Sequence, residues 1–391
     1  MNSTDGTAVR STFEREGQDH VFCFWDRLNS KERDHLLRQA SQIDLNELRH
    51  AIDQALQPGE CAAQPYADIE PAPCISLPLG EESRRQWEDA GVIGEELLSS
   101  GKVAAFTVAG GQGTRLGCEG PKGAFPITPV SQKSLFQLFA EKIKAANARY
   151  GGCMSWFVMT STANHDQTKR FFAERDHFGL NAAKITFLCQ GMMPAVLETG
   201  KILLASSSSI AMNPDGHGGS IRVLAKSGAA KKMQDEGIEV ITYFQVDNPL
   251  APFLEPSFLG FHFSAGSEMS SRAAPKNKPE EKVGVFCLRG ESLTVIEYSD
   301  LPNELAQLRN KDGSLIFHAG NLAMHAINPS FVERIGTGGK ASQLPFHAAR
   351  KKVPTINEKG DPIIPDAPNA IKLETFVFDA LPLARRTCVL E

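Results

Sequence analysis

Residues 103–123 read VAAFTVAGGQGTRLGCEGPKG. An unbroken apolar run that stops in a cluster of glycines has few homes in a folded chain. It fits a strand buried on both faces, as in a parallel sheet, whose carboxyl end empties into a tight turn. Gly110, Gly111, Gly113 and Gly117 let the backbone bend sharply and approach a ligand closely, offering N–H groups to phosphate oxygens. Arg115 and Lys122 bring two cations to the same stretch. Two common phosphate loops do not match. The P-loop ends in Gly-Lys-Ser/Thr, and no such triplet follows here. The dinucleotide fingerprint is GxGxxG, whereas Gly111, Gly113 and Gly117 form GxGxxxG.

The strand texture recurs downstream. SWFVMTS followed by the helical NHDQTKRFFAERD repeats strand then helix, and IEVITYFQVDN is a further buried strand ending in an acid, Asp247. Alternation of this kind predicts an α/β sheet whose ligands sit beyond the carboxyl ends of its strands. KVGVFCLRGESLTVIEY, residues 282–298, reads as a hairpin turning near Arg289-Gly290-Glu291. Residues 13–56 read as helices, with Ser30 expected to cap KERDHLLRQA and Asp44 to cap LNELRHAIDQAL. The stretch QPGECAAQPYADIEPAPCISLP breaks that periodicity as a linker, and Glu81 to Ser100 returns to helix.

A length of 391 residues predicts two or three domains, and 41% hydrophobic residues are enough for a sizeable core. The net charge of −5 argues against a nucleic-acid or anionic-membrane partner, each of which needs a basic face. A phosphate-rich small ligand needs only a few local cations. Cys23, Cys61, Cys74, Cys118, Cys153, Cys189, Cys287 and Cys388 are scattered, without CxxC or zinc spacing, and are expected to be mostly reduced, buried thiols. The opening MNSTDGTAVRSTFEREGQDH has acids and no apolar core, so it does not read as a signal peptide. No run of about 18 apolar residues predicts a membrane span. A cytoplasmic location is the expectation; nothing in the sequence sets an oligomeric state.

The stretch from Val108 to Gly123 resembles the signature of eukaryotic-type UDP-N-acetylglucosamine pyrophosphorylases, within the wider UDP-sugar pyrophosphorylase family. The resemblance continues, in order, through CQGMMPAV at 189–196, MNPDGHGGS at 212–220, FQVDNPLA at 244–251 and VGVFC at 283–287. It goes on through VIEYSD at 295–300, FHAGNLAMH at 317–325 and NAIKLETFVFD at 369–379. FWDRLNSKERDHLLRQ is similar, more weakly, to the family's helical amino-terminal segment. The resemblance implies a Rossmann-like, GT-A-like nucleotidyltransferase: a central mixed sheet flanked by helices over residues 99–391, preceded by a helical segment over 1–98.

The activity implied is attack by a sugar 1-phosphate oxygen on the α-phosphorus of UTP, with pyrophosphate leaving. Such chemistry needs positioning and charge neutralisation. By resemblance Lys122 meets the α-phosphate, Arg115 steadies the departing pyrophosphate and Lys372 also approaches phosphate. Asp247, at a strand end, is placed to hold Mg²⁺. Gln190 is the uracil-reading amide, able to donate and accept at once. Val108, Ala109 and Gly110, with Gly111, Gly113 and Thr114, supply the turn around UTP, and Gly216 packs near the base or ribose. Glu297, Tyr298 and Asn321 match positions that hold the hexose, with Gly284 leaving space. Phe376 and Phe378, alternating along a strand-like segment, are expected to wall an N-acetyl pocket.

The sequence departs from the pattern twice. His217 stands where N-acetylglucosamine enzymes carry asparagine in a DGNGG motif, and enzymes for glucose 1-phosphate place histidine at the related position. The substrate implied is N-acetylglucosamine 1-phosphate, with glucose 1-phosphate or a broad range of sugars as the alternative. The chain also stops at RTCVLE, inside a predicted strand, where family members continue into an acidic motif with Pro-x-Lys-Asn and a β-rich domain. That ending carries the expectation of a fragment with low activity, and a second alternative, a non-catalytic nucleotide-sugar-binding protein.

Overall fold

The computed structural model describes residues 3–56, 68–117, 119–338 and 344–391. Cys61, Cys118 and the linker residues 57–67 lie outside the described residues. Two compact units are present, each assembled from segments distant in sequence.

The first unit takes Met1–Ala63, Gly191–Gly218 and Leu344–Phe376. Its helices are α1 (Ser3–Arg15), α2 (Ser30–Ser41) and α3 (Leu45–Leu56). The cap of α2 is Asn29, one residue before the expected Ser30. Its side-chain oxygen accepts the Glu32 N–H (3.1 Å) while the Glu32 carboxylate accepts the Asn29 N–H (2.8 Å). That reciprocal box satisfies two helix-end donors, and Ser30 becomes the first helical residue. Asp44 caps α3 as expected, accepting the N–H groups of Asn46 and Glu47 at 3.0 and 3.1 Å. Leu36, Leu48 and Ala51 bury their apolar faces against Val196, Ile202, Ile371 and Leu373. The Gln18 amide ties the helices to the second segment, donating to the Gly200 carbonyl and accepting the Ile202 N–H. Short antiparallel pairs complete this unit: Met192–Pro194 with Met212–Pro214, and His347–Lys351 with Ala370–Glu374.

The second unit takes Gln64–Gln190, Gly219–Gln343 and Val377–Glu391 and holds the ten-stranded sheet. Its strands are β1 (Ile69–Pro71), β2 (Val103–Val108), β3 (Trp156–Thr160), β4 (Ile185–Cys189), β5 (Val240–Gln245), β6 (Met269–Pro275), β7 (Val285–Arg289), β8 (Ser292–Ile296), β9 (Ala319–Ile327) and β10 (Thr387–Leu390). The order is β1-β7-β9-β5-β2-β3-β4, with β8 beside β7 and β6 joining β9 to β10. From β5 to β4 all neighbours are parallel; β9 runs antiparallel to β5. The sheet is therefore mixed, as the family resemblance implies. The expected hairpin is β7–β8, with Arg289 opposite Ser292.

Helices α4 (Glu81–Ser99), α5 (Leu135–Tyr150) and α6 (His165–Ala173) belong to this unit. Strand β2 is buried from Val103 to Thr107, which is why its sequence is continuously apolar. Phe136, Phe139, Trp156, Phe172, Phe244 and Phe253 form the aromatic core between α5, α6 and the sheet. Each such ring contributes about 1.5–3 kcal/mol by leaving water. Trp156 Nε1–H finds its partner in Thr107 Oγ1 at 2.8 Å. No described helix is long and apolar enough to cross a membrane.

Candidate functional site

Because β2, β3, β4 and β5 are parallel, their carboxyl ends open on one edge of the sheet. Four segments leave from that edge: the glycine turn after Val108, Ser161 after β3, Gln190 after β4 and Asp247 after β5. The glycine turn is closed at its neck. Gly113 N–H donates to the Gly120 carbonyl (2.9 Å) and Lys122 N–H to the Gly111 carbonyl (3.1 Å), so Lys122 faces Gly111 across the loop. Pairing of β2 with β5 extends one step further, Val246 N–H donating to the Val108 carbonyl at 3.0 Å.

Two side chains hold the turn from behind. Asn164 Nδ2 donates to the carbonyls of Ala109 (2.9 Å) and Gly111 (3.1 Å), and Ser161 Oγ donates to the Gly110 carbonyl between them (2.7 Å). Asn164 Oδ1 accepts the Ser161 N–H at 2.9 Å, so the two residues support each other. Both are almost wholly buried.

Lys122 begins a short 3₁₀ turn, Lys122–Ala124. A Cβ on Gly123 would overlap the Phe136 ring, so only glycine lets this turn lie against α5. The Lys122 ammonium then reaches Asp247 Oδ2 at 3.0 Å. The pair is partly solvated, with side chains 25% and 50% exposed. Thr114 is exposed in the 3₁₀ turn Thr114–Leu116, and the Arg115 side chain lies outside the described residues.

Gln190 is buried, and its N–H donates to the Thr160 carbonyl at 2.8 Å. Its Oε1 packs on Gly110 so closely that a Cβ there would overlap it. Strand β9 places His325 opposite Tyr243 on β5, so Asn321, four residues before His325, comes to the edge where Asp247 follows Tyr243 by four. Asn321 N–H donates to the Gly284 carbonyl (2.8 Å), and its Oδ1 accepts the Ala323 N–H (2.9 Å), neither of which uses the side-chain NH₂ donor. Ala323 adopts a left-handed φ of +52° inside the strand to make this turn. A Cβ on Gly284 would come within 3.2 Å of Glu297 Oε1. Tyr298 is 47% exposed, and Phe378 is buried.

In the first unit Gly216 has φ +84° and abuts the Thr375 carbonyl too closely for a Cβ. Thr375 pulls the chain out of the expected strand. Its N–H and hydroxyl both donate to the Asp215 carbonyl at 2.9 Å, and its own carbonyl accepts the Gly218 N–H at 2.8 Å. The strand therefore ends at Glu374, and Val377–Leu383 is a 3₁₀ segment, so Phe376 and Phe378 are not alternating strand residues. Phe376 stacks between two imidazoles, His217 at 5.2 Å and His347 at 4.5 Å between ring centroids. Lys372 pairs opposite Ala349, on the strand face away from buried Ile371 and Leu373.

No local sequence pattern marks Ser161, Asn164, His347 or Lys142 as site residues. Asn164 precedes α6 and has the look of a helix cap, yet its side chain makes no cap bond and turns to the glycine loop instead. The Lys142 ammonium donates to the carbonyls of Pro249 (2.8 Å) and Ala251 (3.0 Å), bracing the segment just after Asp247. It also lies over the Phe139 and Phe253 rings, and burial lowers its pKa. Among the described residues, no group of three or more His, Cys, Asp or Glu is gathered as a metal cage.

A family profile described as UTP–glucose-1-phosphate uridylyltransferase matches residues 78–381. The chain is 36% identical to the human UDP-N-acetylhexosamine pyrophosphorylase-like protein 1, over 98% of this chain and 78% of that protein. It is 33% identical to the UDP-N-acetylglucosamine pyrophosphorylase of Saccharomyces cerevisiae, over 98% of this chain and 83% of that protein. The crystal structure of the uridine diphosphate N-acetylglucosamine pyrophosphorylase from Trypanosoma brucei, in complex with an inhibitor, superposes with a TM-score of 0.83. That alignment has 26% identity and covers 99% of this chain and 79% of the other.

Proposed function

The chain belongs to the UTP–glucose-1-phosphate uridylyltransferase family, and from that premise we propose that it condenses UTP with N-acetylglucosamine 1-phosphate, giving UDP-N-acetylglucosamine and pyrophosphate. The observation that carries this is the Lys122–Asp247 pair, 3.0 Å apart, at the strand edge beside the glycine turn. A phosphate oxygen of the sugar 1-phosphate forms a bond to the α-phosphorus of UTP. The bond from that phosphorus to the α,β-bridging oxygen breaks, and its electrons leave with pyrophosphate.

On this reading the chain's groups bind, orient and neutralise. The Lys122 ammonium meets the α-phosphate oxygens, and the turn amides meet the polyphosphate. Gln190, held against Gly110, reads the uracil edge. Glu297 accepts from sugar hydroxyls while the Asn321 NH₂ donates to a sugar oxygen. Arg115, Lys372, Gly216, His217 and Phe376 keep the roles that the family resemblance implies.

Asp247 fits a magnesium ligand. Mg²⁺ in nucleotide enzymes keeps one or two protein carboxylates and takes its other ligands from phosphates and water, and a half-exposed carboxylate beside a phosphate-binding cation meets that need. When bound, the ion would supply charge neutralisation to the phosphates. The location proposed is the cytoplasm; the free thiols of Cys23, Cys74, Cys153, Cys189, Cys287 and Cys388 suit a reducing compartment.

His217 supports a second reading, a preference for glucose 1-phosphate. A panel of sugar 1-phosphates assayed for pyrophosphate release separates the two. The first reading expects the highest kcat/KM with N-acetylglucosamine 1-phosphate; faster use of glucose 1-phosphate overturns it.

A further inference from the structure

Three successive carbonyls of the glycine turn, those of Ala109, Gly110 and Gly111, are tied by Asn164 and Ser161. In a planar trans peptide the carbonyl of one residue and the N–H of the next point in opposite directions. No cis peptide occurs among the described residues. Tying those carbonyls back therefore turns the N–H groups of Gly110, Gly111 and Gln112 the other way. Among the described residues, no protein acceptor takes any of these three N–H groups. A run of outward amides is an anion-binding concavity, and Lys122 lies across the neck of the same loop.

We propose that Ser161 and Asn164 are positioning residues for nucleotide binding, which fix the glycine turn with three consecutive N–H groups presented to a polyphosphate. The proposal rests on the uridylyltransferase reading above. It gives Asn164 a role that its place before α6 does not suggest. A side chain serving only the helix would bond to the backbone of α6, and this one bonds to Ala109, Gly111 and Ser161. Without these ties the carbonyls of Ala109 and Gly110 are free to rotate toward the ligand, and that of Gly111 keeps only its bond from the Lys122 N–H. An inward carbonyl repels phosphate where an inward amide attracts it.

The test uses the full chain carrying Ser161→Ala, which frees the Gly110 carbonyl alone, and Asn164→Leu, which frees the other two ties at similar side-chain volume. Steady-state KM is measured separately for UTP and for the sugar 1-phosphate, with melting temperatures alongside. The expected result is a UTP KM raised about 10-fold by Ser161→Ala and about 100-fold by Asn164→Leu, with the sugar-phosphate KM within twofold of the unaltered protein. If Asn164→Leu does not fold, Ser161→Ala decides alone. A UTP KM within twofold of the unaltered value overturns the proposal. So does a parallel rise in both KM values accompanied by a lowered melting temperature, since that assigns the pair to fold maintenance. Failure of the unaltered protein to bind or turn over UTP overturns the uridylyltransferase reading itself, a different outcome from either.

Discussion

The Nζ atom of Lys122 lies 3.0 Å from Oδ2 of Asp247, although 125 residues separate them in sequence. Partly solvated ion pairs of this kind contribute about 0–1 kcal/mol to stability. The pair is thus a poor staple, and the proposed function gives it another use: the cation for phosphate and the carboxylate for a metal. Lys122→Met is expected to leave urea-unfolding stability within about 1 kcal/mol of the unaltered protein. It is expected to lower kcat about 100-fold or more, as loss of one electrostatic stabiliser does. A stability loss that matched the activity loss would assign Lys122 to the fold.

Gly110 and Gln190 form a second dependence. The Gln190 amide occupies the space a Cβ on residue 110 would need. Gly110→Ala is expected to displace the amide and raise the UTP KM about tenfold, by 1–2 kcal/mol of lost hydrogen bonding. The sugar-phosphate KM is expected to stay unchanged. Steady-state kinetics with each substrate varied in turn checks both halves.

Ala323 supplies a stability prediction near the sugar candidates. Its φ of +52° costs an L-residue about 1–2 kcal/mol. Ala323→Gly is expected to stabilise the chain by about 1 kcal/mol, and Ala323→Val to destabilise it by about 2 kcal/mol. Urea midpoints of the two variants should lie on opposite sides of the parent. The same order for both would contradict a left-handed residue here.

His262 predicts a pH dependence of folding. It is buried, with Nδ1 facing Ser270 Oγ (2.8 Å) and Nε2 facing Asn328 Oδ1 (2.7 Å). Burial lowers its pKa to about 4, partly opposed by the hydrogen bond that Nε2–H donates to Asn328 Oδ1. The unfolded chain then binds a proton that the folded chain refuses. The stability from neutral His262 is full above about pH 6.5 and falls as pH drops toward 4, by up to about 3 kcal/mol. Urea unfolding at pH 7.5 and 4.5 should show a loss that His262→Gln removes in large part; an equal loss in that variant contradicts the assignment.

The parts of this fold that are legible in the sequence are those whose physics is local. Val103–Val108 announces a doubly buried parallel strand because both its faces are covered, and Asp44 announces a cap because its partners are two and three residues away. The α2 cap shifts from Ser30 to Asn29 because either residue type can accept the bond and Glu32 selects the earlier one. Phe376 and Phe378 mimic a strand by alternation, and the bonds from Thr375 to Asp215, 160 residues away, break it. Ser161 and Asn164 act on carbonyls 51 to 55 residues distant, and His347 stacks on Phe376, 29 positions along the chain. No local pattern encodes such partners.

The strand edge bearing Lys122 and Asp247 is the proposed seat of uridylyl transfer. The most direct measurement is pyrophosphate release by the 391-residue chain mixed with UTP, Mg²⁺ and N-acetylglucosamine 1-phosphate, beside Asp247→Asn. Pyrophosphate is expected to form in step with UDP-N-acetylglucosamine, dependent on both substrates and on Mg²⁺, and to fall about 100-fold or more in the variant. Calorimetric binding of UTP without pyrophosphate release, or release unaffected by Asp247→Asn, would contradict that assignment.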